Sequence, residues 1–222
     1  MATRLYLPSS GTAPVSPTPQ AGWNQNAGSV IRRPTFPYKT GTAQALSTVT
    51  GGGVSGDNWI LLQFVSPPLL VDGSVSTTST FSFSIYCMES NNLANAYVMV
   101  RPAYCNNDGS GDVTIMDDGS DWYVGATEMA TTTNGASRYD SESILSNATI
   151  TAGKRLLFEV GFDKNSTTSY SMKVRCGDDG ASDAPSSDAD TSTTNNSWVE
   201  FSDNFTFDYG GPNALMMRGV GI

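Results

Sequence analysis

The clearest signal in this chain is alternation. Phe81, Phe83, Ile85 and Cys87 share one parity, with Ser82 and Ser84 on the other, and a period of two marks a half-buried strand. The pattern recurs in Leu156, Phe158, Val160 and Phe162, in Met172, Val174 and Cys176, and in Val199, Phe201, Phe205 and Phe207. Residues 59–65 form instead a nearly continuous apolar run, whose length and β-branched or aromatic content predict a buried strand stopped by Pro67 and Pro68. Residues 96–104, 113–116 and 122–125 predict further strands, and residues 69–75 a shorter edge run. Residues 126–147 are weakly patterned, with one helical turn expected at 141–145. Residues 177–197 carry Asp178, Asp179, Asp183, Asp188 and Asp190 and almost nothing apolar, which predicts a mobile, exposed loop. About eight to ten strands without βαβ alternation predict an all-β fold, an antiparallel sandwich and most simply a jelly roll.

The N-terminal stretch has a different texture. Six of the eleven prolines lie there: Pro8, Pro14, Pro17, Pro19, Pro34 and Pro37. Proline removes a backbone donor and keeps its predecessor extended, so this segment joins neither the middle of a sheet nor a long helix. It still carries Leu5, Tyr6, Leu7, Val15, Trp23, Ile31, Phe36 and Tyr38, whereas disordered tails are poor in aromatics. These residues predict an extended arm, ordered against a neighbour or against its own body. Residues 1–56 hold four basic residues (Arg4, Arg32, Arg33, Lys39) and no acidic one; the rest of the chain holds eight basic and all 21 acidic residues, +4 against −13 in a total of −9. Opposite signs attract within one chain or between copies. The expected division is an arm and hinge at 1–56, with Gly51, Gly52 and Gly53 as the hinge, a sandwich body at 57–207, and a Gly-rich tail at 208–222 with one apolar patch at Leu215, Met216 and Met217.

Composition narrows the chemistry. A net charge of −9 without a basic stripe argues against nucleic acid as a partner. No stretch reaches the roughly 18 apolar residues of a membrane span. The opening residues lack the apolar core of a signal peptide, so synthesis in the cytoplasm is expected, with release by lysis or inside a particle. Cys87, Cys105 and Cys176 are odd in number and predict free, mostly buried thiols, with one disulfide after release left open. There is no histidine, which removes Ser-His and Cys-His nucleophile pairs and His-based zinc sites. Glu159 and Glu200 could serve as the two carboxylates of a glycosidase beside Trp198 or Trp122, although outward glutamates are ordinary on sandwich strands. Asn106, Asp108, Ser110, Gly111 and Asp117 loosely echo a calcium loop, but turn chemistry alone accounts for them. No cofactor and no metal are expected. Carbohydrate binding would draw on exposed aromatics, with Trp59, Trp122, Tyr123 and Trp198 available.

The opening Arg4, Leu5, Tyr6, Leu7, Pro8, Ser9 and Ser10, followed by residues 13–17 and by Gly22 and Trp23, resembles the start of many virion structural proteins of tailed bacteriophages. The closing residues 197–202 and Phe205, Thr206 and Phe207 resemble the terminal strand of the same group, while the middle of the chain matches in texture only. The resemblance implies a virion component, most simply a decoration or cement protein on the capsid. It brings no catalytic residues, so no enzyme is expected. Its implied partners are the major capsid protein and further copies of the chain, in a closed ring such as a trimer if arm-to-body contacts run head to tail. Attachment falls to the arm, through Arg4, Leu5, Tyr6, Leu7, Pro8, Trp23, Arg32 and Arg33. The alternative is a tail or fibre subunit with a carbohydrate-binding β-sandwich.

Overall fold

A computed structural model describes residues 2–23, 25–50, 55–115, 122–131, 133, 135–180 and 182–210. The expected hinge at Gly51, Gly52 and Gly53, the turn at 117–121 and the patch at Leu215, Met216 and Met217 lie outside the described residues. In chain order the strands are β1 (Thr3–Tyr6), β2 (Gln25–Pro34), β3 (Ala45–Thr50), β4 (Asp57–Pro68), β5 (Gly73–Val75), β6 (Thr80–Glu89) and β7 (Ala96–Cys105). There follow β8 (Val113–Thr114), β9 (Tyr123–Val124), β10 (Ala136–Ser143), β11 (Ala148–Ile150), β12 (Arg155–Lys164), β13 (Ser171–Cys176) and β14 (Trp198–Phe201). The only helical element among the described residues is a single 3-10 turn at Asn92–Ala94. The strand count exceeds the expected one because β1, β2 and β3 lie in the stretch read as arm and hinge, and β10 and β11 lie in or beside the weakly patterned residues 126–147.

The fold is an antiparallel β-sandwich. In the first sheet β6 is central: β10 runs along it from Thr80 to Cys87, while β14 pairs with Phe81–Ser84 and β13 with Tyr86–Glu89. β1 lies on the outside of β14 and β3 on the outside of β13. The second sheet has the order β2-β4-β12-β7-β8, with β9 also on β7. Its pairs are antiparallel except β2 with β4, which is parallel. The proline-rich segment thus supplies one outer strand to each sheet, where a missing N–H costs no ladder bond.

Between the sheets lies the main core. Phe81, Phe83, Phe158, Phe162 and Phe201 are all buried there, with Phe81 and Phe158 stacked at 6.1 Å. These are the alternating positions of β6, β12 and β14, and Leu5 and Leu7 from the arm join them. Each such side chain contributes about 1.5–3 kcal/mol by leaving water.

The outer face of the second sheet is covered as well. Ile60 and Met99 pack with Trp23, and Val65, Ala103 and Leu157 with Ala13 and Val15. β4 is therefore buried on both sides, which is why its sequence is apolar without alternation. The strand also runs through Pro67 and Pro68 rather than stopping before them. There the ladder slips between Arg155 and Leu157, and the Ser66 hydroxyl accepts the Leu156 N–H at 2.9 Å. Gly161 lets Trp23 approach: a Cβ there would lie 2.0 Å from the Trp59 carbonyl oxygen and 2.6 Å from the Trp23 ring.

Two expectations are corrected here. Residues 141–145 do not form a helical turn; most of them extend β10, whose backbone is satisfied along β6 while its outer residues stay polar. Nor is 177–197 a freely exposed loop. Asp178 is buried and accepts from the N–H and hydroxyl groups of Thr40 and Thr42 at 2.6–2.8 Å. Ala184 packs on Tyr86 and Trp198, and its carbonyl accepts the Trp198 indole N–H at 2.7 Å. Aspartates that look solvated in sequence are here acceptors for backbone donors brought from far along the chain.

Candidate functional site

The arm residues expected to bind a partner all contact the chain's own sandwich. Leu5 and Leu7 are in the main core, and Pro8 is buried next to them. Arg4 lies 2.8 Å from Asp183 and 2.9 Å from Glu200, with its guanidinium 3.9 Å above the Trp198 ring. Lys39 reaches Asp183 at 3.0 Å. The attraction between basic arm and acidic body therefore acts within one chain. These pairs are partly exposed and worth at most about 1 kcal/mol each. Tyr6 donates to Asp183 at 3.2 Å, and burial first, then that carboxylate, pushes its pKa up to about 12. Arg32 donates to the Pro17 carbonyl at 3.1 Å, and Arg33 to Pro8 and to Ser47 at 3.3 and 3.0 Å.

Trp23 leads to a buried polar centre. Its indole N–H donates to Glu159 at 2.7 Å. Glu159 is fully buried on the outer side of β12, under the arm. It also accepts from Gln63 at 2.8 Å, Arg101 at 3.2 Å and the Gln20 N–H at 3.2 Å. Arg101 in turn pairs with Asp112 at 2.8 Å. Glu159 and Glu200 occupy the outer faces of opposite sheets, and packed sheets are about 10 Å apart before side chains are added. Glycosidase carboxylates stand about 5–9.5 Å apart across one sugar, so these two do not form such a pair.

The other sequence candidates are also accounted for. Trp59, Tyr123 and Trp198 are buried and Trp122 half-buried, edge-on to Trp23 at 5.3 Å. They are packing residues, not a surface platform. In the turn at 106–112, Asp108 accepts from the Ser110 N–H and hydroxyl at 3.0 and 2.7 Å, and the N–H bond holds its pKa below the usual carboxylate value. Asp117 lies outside the described residues.

What the structure assembles instead is a groove of about 450 Å³ at one edge of the sandwich. Its aromatic side is Phe36, Tyr38 and Tyr209; its other walls include Pro34, Pro67 and Pro68, with Arg155 and Asp208 as the charged residues. Local bonds explain the convergence. Tyr6 N–H donates to Phe36 at 2.9 Å and Thr35 N–H to Val65 at 3.0 Å, which pins the segment after β2 to both sheets. Leu70 N–H donates to Thr206 at 2.8 Å and Asp208 N–H to Pro68 at 2.7 Å, which carries Tyr209 to the same place. Phe36 and Tyr38 stack at 5.2 Å, and Tyr38 meets Tyr209 at 5.5 Å. Burial, with the nearby Tyr38, pushes the Tyr209 pKa up to about 12. Phe36 and Tyr38 are legible in sequence as arm anchors; Tyr209 carries no such signal, because its partners sit at the other end of the chain.

Fold and site together define an all-β sandwich with a fixed arm and an aromatic groove. No protein-family model and no curated protein matches the chain. Among solved structures it is similar to an alpha-amino acid ester hydrolase, with a TM-score of 0.51 at 10% identity, over 91% of this chain and 36% of that one. A CocE/NonD family hydrolase from Staphylococcus aureus gives 0.45 at 8% identity, over 90% and 36%. A structure of infectious bursal disease virus, Gx strain, gives 0.24 at 11% identity, over 78% and 47%; neither of these two carries weight. The chain spans about a third of the hydrolase chains it matches. At such identities the first likeness concerns the fold. It nevertheless corrects the expectation of no enzyme: this sandwich fold also occurs in a hydrolase chain, so the fold does not exclude catalysis and that expectation is withdrawn. Among the described residues no helix is long and apolar enough to cross a membrane.

Proposed function

We propose that this chain is a structural subunit of a tailed-bacteriophage particle, a decoration or cement protein that binds the major capsid protein and further copies of itself. One observation supports the reading. The two stretches that carry the resemblance lie at opposite ends of the sequence, yet they pair directly, Leu5 with Val199 and Tyr6 with Trp198. The resemblance therefore concerns one spatial unit, the β1/β14 edge of the first sheet, and not two unrelated sequence fragments.

In this reading the arm acts in place on the sandwich. Leu5 and Leu7 belong to the chain's own core, so a neighbour meets the partly exposed Arg4, Tyr6 and Arg32. Many copies multiply weak contacts into a firm shell. The test is quantitative mass spectrometry of purified particles. Copies of this chain on the order of the capsid lattice are the expected result. A handful per particle would move it to the tail or a fibre, and absence would end the reading.

A further inference from the structure

The groove beside Tyr209 has a chemistry that lattice contacts do not require. Its walls are aromatic and proline side chains, and its volume falls in the range of roughly 300–1,000 Å³ typical of small-molecule sites. Its two charged residues are not paired with each other. Among the described residues Arg155 has no carboxylate partner; it donates to the carbonyls of Asn107 and Ser66 at 3.2 and 2.9 Å. Asp208 accepts the Gly210 N–H on one oxygen at 2.9 Å, and no described donor reaches the other.

We infer that this groove binds a neutral saccharide, a hexopyranose ring laid against the groove side of the touching pair Tyr38 and Tyr209, with its hydroxyls shared by Asp208 and Arg155. Three considerations select this ligand. Hydroxyl groups both donate and accept, and so serve an aspartate and an arginine in one site. A proline-rich peptide, the other ligand of aromatic grooves, has few N–H donors for Asp208. An anionic ligand meets a chain of net charge −9. The C–H faces of a sugar ring suit the negative faces of tyrosine rings, whose hydroxyls supply further bonds. The inference stands independently of the particle reading.

The test uses the full chain on an array of neutral glycans, followed by titration with the methyl hexopyranosides that the hits contain. Binding of both free ring and glycan is expected if the ring alone suffices; binding of the glycan only would mean that a longer chain spans the groove, still within it. Tyr38→Ala, Tyr209→Ala and Asp208→Asn should each weaken binding about tenfold or more. Val71→Ala, at a residue 52% exposed and outside the groove, should leave it unchanged. Asp208→Asn removes no packing, so its loss of binding cannot be misread as unfolding. The inference fails if no neutral glycan binds, if binding survives all three groove variants, or if a proline-rich peptide binds in their place.

Discussion

Replacing Glu159 with glutamine should destabilise this protein far more than its isosteric shape suggests. One carboxylate oxygen accepts from Gln63 and the Gln20 N–H, the other from Trp23 and Arg101. With its NH2 group toward Trp23 and Arg101 the new amide opposes two donors. Turned over, it opposes the Gln20 N–H, while Gln63 can rotate its own carbonyl to meet it. Either way Arg101, only 2% exposed, loses a buried counter-charge. Breaking such a pair from one side costs about 3–5 kcal/mol. Arg101 keeps Asp112 and the Thr114 hydroxyl at 2.8 Å, so the lower end, about 3 kcal/mol, is expected. For a chain of this size that lowers Tm by roughly 6–12 °C. Urea unfolding followed by tryptophan fluorescence measures it, with hydrogen exchange across residues 13–23 reporting whether the arm loosens first. Glu200→Gln is the comparison, because Glu200 and Arg4 are partly exposed and their pair is worth at most about 1 kcal/mol. A cost for Glu159→Gln no greater than that for Glu200→Gln would refute the claim that Glu159 clamps arm to sheet.

Gly161→Ala should destabilise by about 1–3 kcal/mol in the same assay, because its Cβ meets the Trp59 carbonyl and the Trp23 ring; an unchanged midpoint would mean the strand shifts freely. Burial pushes the thiols of Cys87, Cys105 and Cys176 up to about 12, 11 and 12, so iodoacetamide at about pH 8 should label none in the folded chain and all three in denaturant, read by intact mass. Burial, with the adjacent Glu128 carboxyl, pushes Glu89 up to about 7 from 4.5. The folded state then binds this proton more tightly, so the stability it contributes is complete below 4.5 and lost as pH rises through about 7. The wild-type urea midpoint should therefore fall relative to that of Glu89→Gln over this window, and parallel profiles would contradict the assignment.

Much of the fold was legible in the residues. The alternation in β6, β12, β13 and β14 marked the core face because a strand between a core and a second layer must sort its side chains by parity. The continuous run in β4 marked a strand with apolar neighbours on both sides. Prolines kept the arm to sheet edges, and its charge foretold attraction to the body. β10 was not legible, since a strand whose outer residues are polar and whose support is backbone pairing has little side-chain period. The order in 177–197 was hidden too, because Asp178 is buried only through Thr40 and Thr42.

Tertiary structure alone decided the sites. Glu159 could be read in sequence as an outward carboxylate; the arm folding over β12 made it a buried acceptor of four donors. Tyr38 and Tyr209 became neighbours only because residues 206–208 pair alongside Pro68 and Leu70. Local patterning determines which way each strand faces, since that depends on a residue and its nearest neighbours in sequence. Which polar group is sheltered, and which aromatics meet, depends on partners brought from the far end of the chain, and no local pattern encodes those.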